Sequence, residues 1–136
     1  MLKTSIVILI FSLVGSSLSA QKKSTAKENK IRAITEYKQD VEKNGSRLIE
    51  AYTLYDNNGN VVEEKEYDTA GKTSKHMKYQ YNSDNNKIQE TEMAPDGKIV
   101  KTIEFKYNGN LKIEKNVYDA KGKLKTRKTY QYEFIK

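Results

Sequence analysis

The residue types that could do chemistry in this chain are carboxylates and tyrosines, because it holds one histidine, His76, and no cysteine. Glu63, Glu64 and Glu66 form one acidic cluster, and Glu90 and Glu92 form another. Carboxylates two residues apart on an extended strand share a face at about 6.5–7 Å, within the separation an inverting glycosidase uses. That chemistry also needs a concave site and a desolvated acid, and no stretch of the sequence promises a groove. Pairing with lysines on neighbouring strands is the plainer expectation. His76 has Lys75 and Lys78 for neighbours, and no second histidine exists for a zinc site, so a surface position is expected. The run Asp56-Asn57-Asn58-Gly59-Asn60 is oxygen-rich like a calcium loop but lacks the bidentate Glu at the twelfth position. Asp56, Asp68 and Asp119 are therefore read as turn caps. No catalytic residue, metal or cofactor is expected.

The tyrosines are the other resource, ten of them with no tryptophan. Tyr67, Tyr81, Tyr107 and Tyr118 each stand just before a turn, so some should gather as rows of rings at the sheet ends. Rings on a sheet can stack on a ligand while lysines contact its anions, or they can be packing that stands in for a core. Tyr130, Tyr132 and Phe134, with Lys128, make the densest aromatic stripe and are the expected contact face.

The unit that must position these groups is Tyr-Asp-x-x-Gly-x-hydrophobic, as in Tyr55 to Val61, Tyr67 to Gly71 and Tyr118 to Leu124. Asp at the first position of a type I turn accepts hydrogen bonds from the turn backbone, and Gly at the fourth tolerates positive φ. Gly59, Gly71, Gly97, Gly109 and Gly122 are the turn glycines of this reading, with Asn44-Gly45 and Asn85-Asn86 completing a series spaced 12 to 14 residues apart. Seven turns imply eight strands, which short connections force to pair antiparallel. The expected fold is all-β: an antiparallel meander of about eight strands built from repeats of ~12–13 residues. Glu50, Glu63, Lys65, Lys75, Lys101, Lys115 and Lys128 interrupt the apolar stripes, which a dry barrel interior would not tolerate unpaired. An open twisted sheet is therefore preferred to a partly closed barrel. A membrane barrel fails on the same count, since Val61 to Tyr67 has no continuous lipid-facing alternation.

Residues 1–20 read separately: Lys3, then an apolar run from Ile6 to Val14, then Ser16-Ser17-Leu18-Ser19-Ala20. This is the pattern of a secretory signal peptide cut after Ala20. Residues 21–29 contain no apolar residue larger than Ala26 and are expected to form a disordered tether, leaving 30–136 as one β-repeat domain. Strands are expected at Ile31 to Val41 and Leu124 to Phe134 at the two edges, each carrying charges that block edge-to-edge association. The formal net charge of +7 is interleaved with glutamates and reads mainly as a solvated surface.

The Tyr-Asp-x-x-Gly unit resembles the YD repeats of Rhs-type secreted proteins. Tyr107-Asn108-Gly109-Asn110-Leu111-Lys112 and Gly122-Lys123-Leu124-Lys125 resemble bacterial variants of MORN repeats. A signal peptide followed by such units is similar to small exported proteins of Bacteroides-type bacteria. The resemblance covers roughly Tyr37 to Phe134 and implies β-hairpin architecture rather than an activity. The expected function is a non-enzymatic secreted or periplasmic module that binds or spaces a protein or polysaccharide at the cell envelope. Its rivals are a carbohydrate-binding module using tyrosine rows and a small glycoside hydrolase using the glutamates. A monomer without stable membrane insertion is expected, and nucleic acid is not an expected partner.

Overall fold

The computed structural model describes residues 17–136. It has one helix, α1 (Ser17–Glu28), followed by β1 (Ala33–Lys38), β2 (Leu48–Tyr55), β3 (Val61–Tyr67), β4 (Thr73–Tyr81), β5 (Lys87–Met93), β6 (Ile99–Asn108), β7 (Leu111–Tyr118) and β8 (Leu124–Thr129). The leader expected over residues 1–20 lies outside the described residues as far as residue 16. The strands form one antiparallel sheet in chain order, and β1 and β8 are its two edges rather than partners. The meander is open.

The turns show why the chain reverses where it does. In the β2–β3 turn, the Gly59 N–H donates to Asp56 O at 3.0 Å and the Asp56 N–H to Asn60 O at 2.9 Å, with Gly59 at φ 76°. This is a type I turn followed by a left-handed residue, a standard hairpin closure. Asp56 Oδ1 accepts the N–H groups of Asn58 and Asn60, both at 2.9 Å. Asp68 and Asp119 repeat the pattern. Asn82 repeats it too, with Asn85 at φ 60° in the glycine's place. Where Ala94 replaces the first Asp, Asp96 caps the Lys98 N–H instead.

Each hairpin also slips register beside its turn. Leu54 faces Glu63 but Tyr55 faces Val61, which leaves Val62 without an opposite residue, and an equivalent shift occurs at all seven hairpins. A bulge of this kind bends the strand and increases its right-handed twist. Twist is therefore built in at both ends of the sheet.

The structural repeat is longer than the sequence period suggests. Successive turns lie at opposite ends, so equivalent residues recur per hairpin, about every 25 residues. Tyr81, Tyr107 and Tyr132 donate their hydroxyls to the carbonyls of Val61, Lys87 and Lys112 on the preceding strand. One sheet end carries an asparagine ladder, Asn60 Nδ2 to Asn85 Oδ1 and Asn86 Nδ2 to Asn110 Oδ1, both 2.9 Å. The other end has Lys72, Lys98 and Lys123 in the position of those asparagines.

The core is sparse. Among the described residues, Ala26 and Tyr55 are the buried hydrophobics and Asn60 and Asn116 the buried polar residues. Among the described residues no second sheet backs this one and α1 covers only part of a face, so stability comes mainly from the ladders and from cross-strand side-chain pairs.

Three terminal expectations differ from the structure. The tether over residues 21–29 is instead helical through Glu28. It closes with a left-handed Lys30 at φ 54°, an Ile31 N–H bond to Ala26 O and a Lys30 N–H bond to Lys27 O, the pattern of a Schellman cap. Tertiary contact holds it, since its backbone lies directly on Gly59 and buries Ala26. At the other end β8 stops at Thr129 rather than Phe134, although the Tyr130 N–H still reaches Ile113 O at 3.0 Å. β7 begins at Leu111, so little partner strand remains beyond that bond. The first strand is likewise Ala33–Lys38, shorter than Ile31 to Val41.

Candidate functional site

Cross-strand register divides the side chains between two faces. One face, here the ring face, carries the rows Tyr79–Glu90–Ile103–Val117 and Phe105–Lys115–Lys128, each residue directly opposite the next. The opposite face carries Glu63 and Lys78 in one row and Glu104, Asn116 and Arg127 in another.

The acidic candidates fall on both faces and are paired. On the ring face Glu66 lies 3.2 Å from Lys75 Nζ, Glu90 3.0 Å from Lys87 and Glu92 3.0 Å from Lys101. Glu64 Oε2 accepts the Tyr79 hydroxyl at 2.7 Å. Burial, then that hydrogen bond and the carboxylate charge, push the Tyr79 hydroxyl pKa well above its ordinary value. Glu63 is on the opposite face, so strand alternation separates it from Glu64.

His76 is not the surface residue its neighbours suggested. Its side chain is 13% exposed, and Nε2 donates to Glu63 Oε1 at 2.6 Å while Lys65 Nζ lies 3.4 Å from the same oxygen. Lys75 and Lys78 flank it in sequence, but alternation puts Lys75 on the other face, and register brings Lys65 opposite. Burial raises the Glu63 pKa; the His76 hydrogen bond and the Lys65 charge outweigh it and leave the carboxyl below its ordinary range. That is the state of an ion-pair partner rather than of a general acid. Asp56, the calcium candidate, spends Oδ1 on turn amides and Oδ2 on Asn60 Nδ2. Among the described residues, no group of three or more His, Asp or Glu is placed to hold a metal ion.

The tyrosines do form rows. Tyr55, Tyr81, Tyr107 and Tyr132 mark one line across the asparagine end, and Tyr79, Phe105 and Tyr130 a second line beside it. Hairpins repeat every two strands, so the rings of a line are roughly 10 Å apart. Tyr67 and Tyr118 belong to the other sheet end. Helix α1 lies over the first part of these rows. A cleft of about 380 Å³ there is lined by Lys23, Glu64, Tyr79, Tyr81, Asn85 and Lys87. The rows become more open toward the C-terminus: Tyr55 is 5% exposed, Tyr130 37%, Tyr132 42% and Phe134 74%. The Tyr132 hydroxyl is tied to Lys112 O, so its ring is held beside β7.

The structure adds three residues to the expected face of Tyr130, Tyr132, Phe134 and Lys128. Phe105 is directly opposite Lys115, and Lys115 directly opposite Lys128. Lys112 Nζ lies 4.4 Å and Lys115 Nζ 6.0 Å from the Phe105 ring centroid. Alternation along one strand hints at Phe105 with Tyr107, but joining them to Lys112 and Lys115 required the β6–β7 register, including its bulge at Tyr107.

In comparison with known proteins, no family model matches this chain and no curated protein matches its sequence. No described helix is long and apolar enough to cross a membrane.

Proposed function

We propose that the protein is a non-enzymatic, exported β-repeat module that binds a partner at the cell envelope, through the C-terminal part of its ring face. One observation carries the reading: the aromatic rows are covered at Tyr55 and open at Tyr130 and Tyr132. A ring that completes a core is buried, whereas a ring fixed in place and left open is free to stack on a ligand. The ion-paired glutamates favour binding over glycoside hydrolysis, because neither cluster supplies a desolvated acid beside a free base. Export rests on the leader pattern of residues 1–20, and the YD- and MORN-like turns fit a repeat module. The molecule acts as a monomer in this reading, since charged residues run along both edge strands. Polysaccharide is favoured over protein as the partner because the open rings sit among lysines on a flat surface rather than in an apolar pocket. Capture of the purified protein on a glycan array tests this: retention on one class of glycan is expected, and binding to none would contradict it.

A further inference from the structure

The ring face is not evenly charged. Its acidic side chains, including Glu64, Glu66, Glu90 and Glu92, lie on β1 to β5, while β6 to β8 present lysines there and no acid. The acids of β6 and β7, Glu104 and Glu114, point to the other face, where Glu114 meets Lys106 at 3.0 Å.

Elsewhere, directly opposed charges alternate in sign: Glu66 faces Lys75, Glu63 faces Lys78, Glu92 faces Lys101 and Lys106 faces Glu114. Lys65 faces His76, and Glu63 bridges the two. Lys115 and Lys128 face each other with no such bridge. Like charges directly opposite destabilise a sheet. Here Lys115 leans toward Phe105, whose ring also takes Lys112. The Lys112 and Lys115 ammonium groups thus meet at one ring, with Lys128 directly opposite Lys115, and a ligand bearing negative charge would supply the carboxylates that the sheet supplies elsewhere.

We propose that the ring face of β6–β8 is a binding strip for an anionic polysaccharide, with Lys112, Lys115 and Lys128 on its acid groups, Phe105 beneath the first two lysines and Tyr130 against its sugar rings. This rests on the functional reading above and names the ligand class. An anionic bilayer would share the charge, but it is bound most firmly by apolar side chains that project into it. Within the strip Tyr132 is tethered by its hydroxyl to Lys112 O, and the apolar side chains that do project, Phe134 and Ile135, lie past it at the C-terminal end. A linear polymer with a charge on its sugars suits lysines set one strand apart, roughly 4.8 Å.

Affinity electrophoresis of the purified protein in gels containing sodium polygalacturonate, against gels containing dextran, tests the proposal. Polygalacturonate should retard the wild type and dextran should not. Lys115→Gln with Lys128→Gln should weaken retardation at least about tenfold, the scale of a lost charged hydrogen bond. The same double variant should melt at the wild-type temperature or higher, because it removes an opposed like-charge pair, so weak binding cannot be put down to misfolding. Lys75→Gln, on the same face but paired with Glu66, should bind as wild type. Equal loss in Lys75→Gln and the double variant would overturn the proposal, as would the absence of polygalacturonate retardation. Flotation with phosphatidylglycerol vesicles without polygalacturonate binding would overturn it in favour of a membrane. Retardation by dextran that Tyr130→Ala abolishes and the lysine variants do not would overturn the anionic ligand while leaving the binding face in place.

Discussion

Gly59 carries two constraints, and its counterparts in the other turns carry one. Gly59, Gly71, Gly97 and Gly122 all sit near φ 80°, where an L side chain is strained. A Cβ on Gly71, Gly97 or Gly122 would meet open space, whereas on Gly59 it would lie 2.3 Å from Lys23 O and 3.0 Å from Lys27 Cβ. Gly71→Ala should therefore cost about 1 kcal/mol, the left-handed strain alone. Gly59→Ala should cost clearly more and shift helix α1, which urea unfolding and amide exchange over residues 22–28 would both read. Equal losses in the two variants would mean that α1 does not rest on this turn. Tyr81 gives a second test at this scale. Burial first, then the charges of Asp56, Glu64 and Glu90, push its hydroxyl up to about 12, and that hydroxyl donates to Val61 O at 2.7 Å. Because the folded pKa is raised, its contribution is complete below pH ~10 and is lost as pH rises from there through about 12. Tyr81→Phe should lose about 1 kcal/mol at neutral pH and show a flatter alkaline fall in the urea midpoint. An unchanged alkaline slope would show that the ionisation of Tyr81 plays no part.

Among the elements, the hairpins were legible and the helix was not. A turn writes its own chemistry locally: Asp119 needs only the amides of Lys121 and Lys123, and Gly122 only its own φ. Strand order followed, because connections this short leave only antiparallel neighbours. Helix α1 is written nowhere in its own residues, which lack an apolar stripe and a glycine cap; it exists because Lys23 and Lys27 fit the bare surface of Gly59 while Ala26 is buried. The two-strand period is present in the sequence, in the residue that follows each turn. Asn60, Asn86 and Asn110 follow alternate turns, while Lys72, Lys98 and Lys123 follow the others, so the turn residues already say which end of the sheet each belongs to. The proposed strip was half legible. Tyr130, Tyr132 and Lys128 stand together on one segment, but Phe105 and Lys115 join them only through register, and the bulges beside each turn shift the face count that simple alternation would give.

At the scale of the described molecule, residues 17–136, an open single layer makes the two faces its large surfaces. A sheet without a second layer cannot hide its rings by packing alone, so most are half-covered by neighbouring lysines and by hydroxyl bonds such as Tyr107 to Lys87 O. Both edge strands are exposed along their length, but the aromatic rows grade from Tyr55, enclosed by helix and turn, to open rings at Tyr130 and Tyr132. Under the proposed function that gradient makes the C-terminal rings ligand surface rather than core. Urea unfolding of the double variant Tyr130→Ala with Tyr132→Ala tests this most directly. Tyr132 gives up one hydroxyl bond and Tyr130 a partly exposed ring, so the loss should stay within about 2 kcal/mol, with a cooperative transition and an unchanged strand signal. A chain that no longer folds cooperatively would contradict the account and make these rings the core of the sheet.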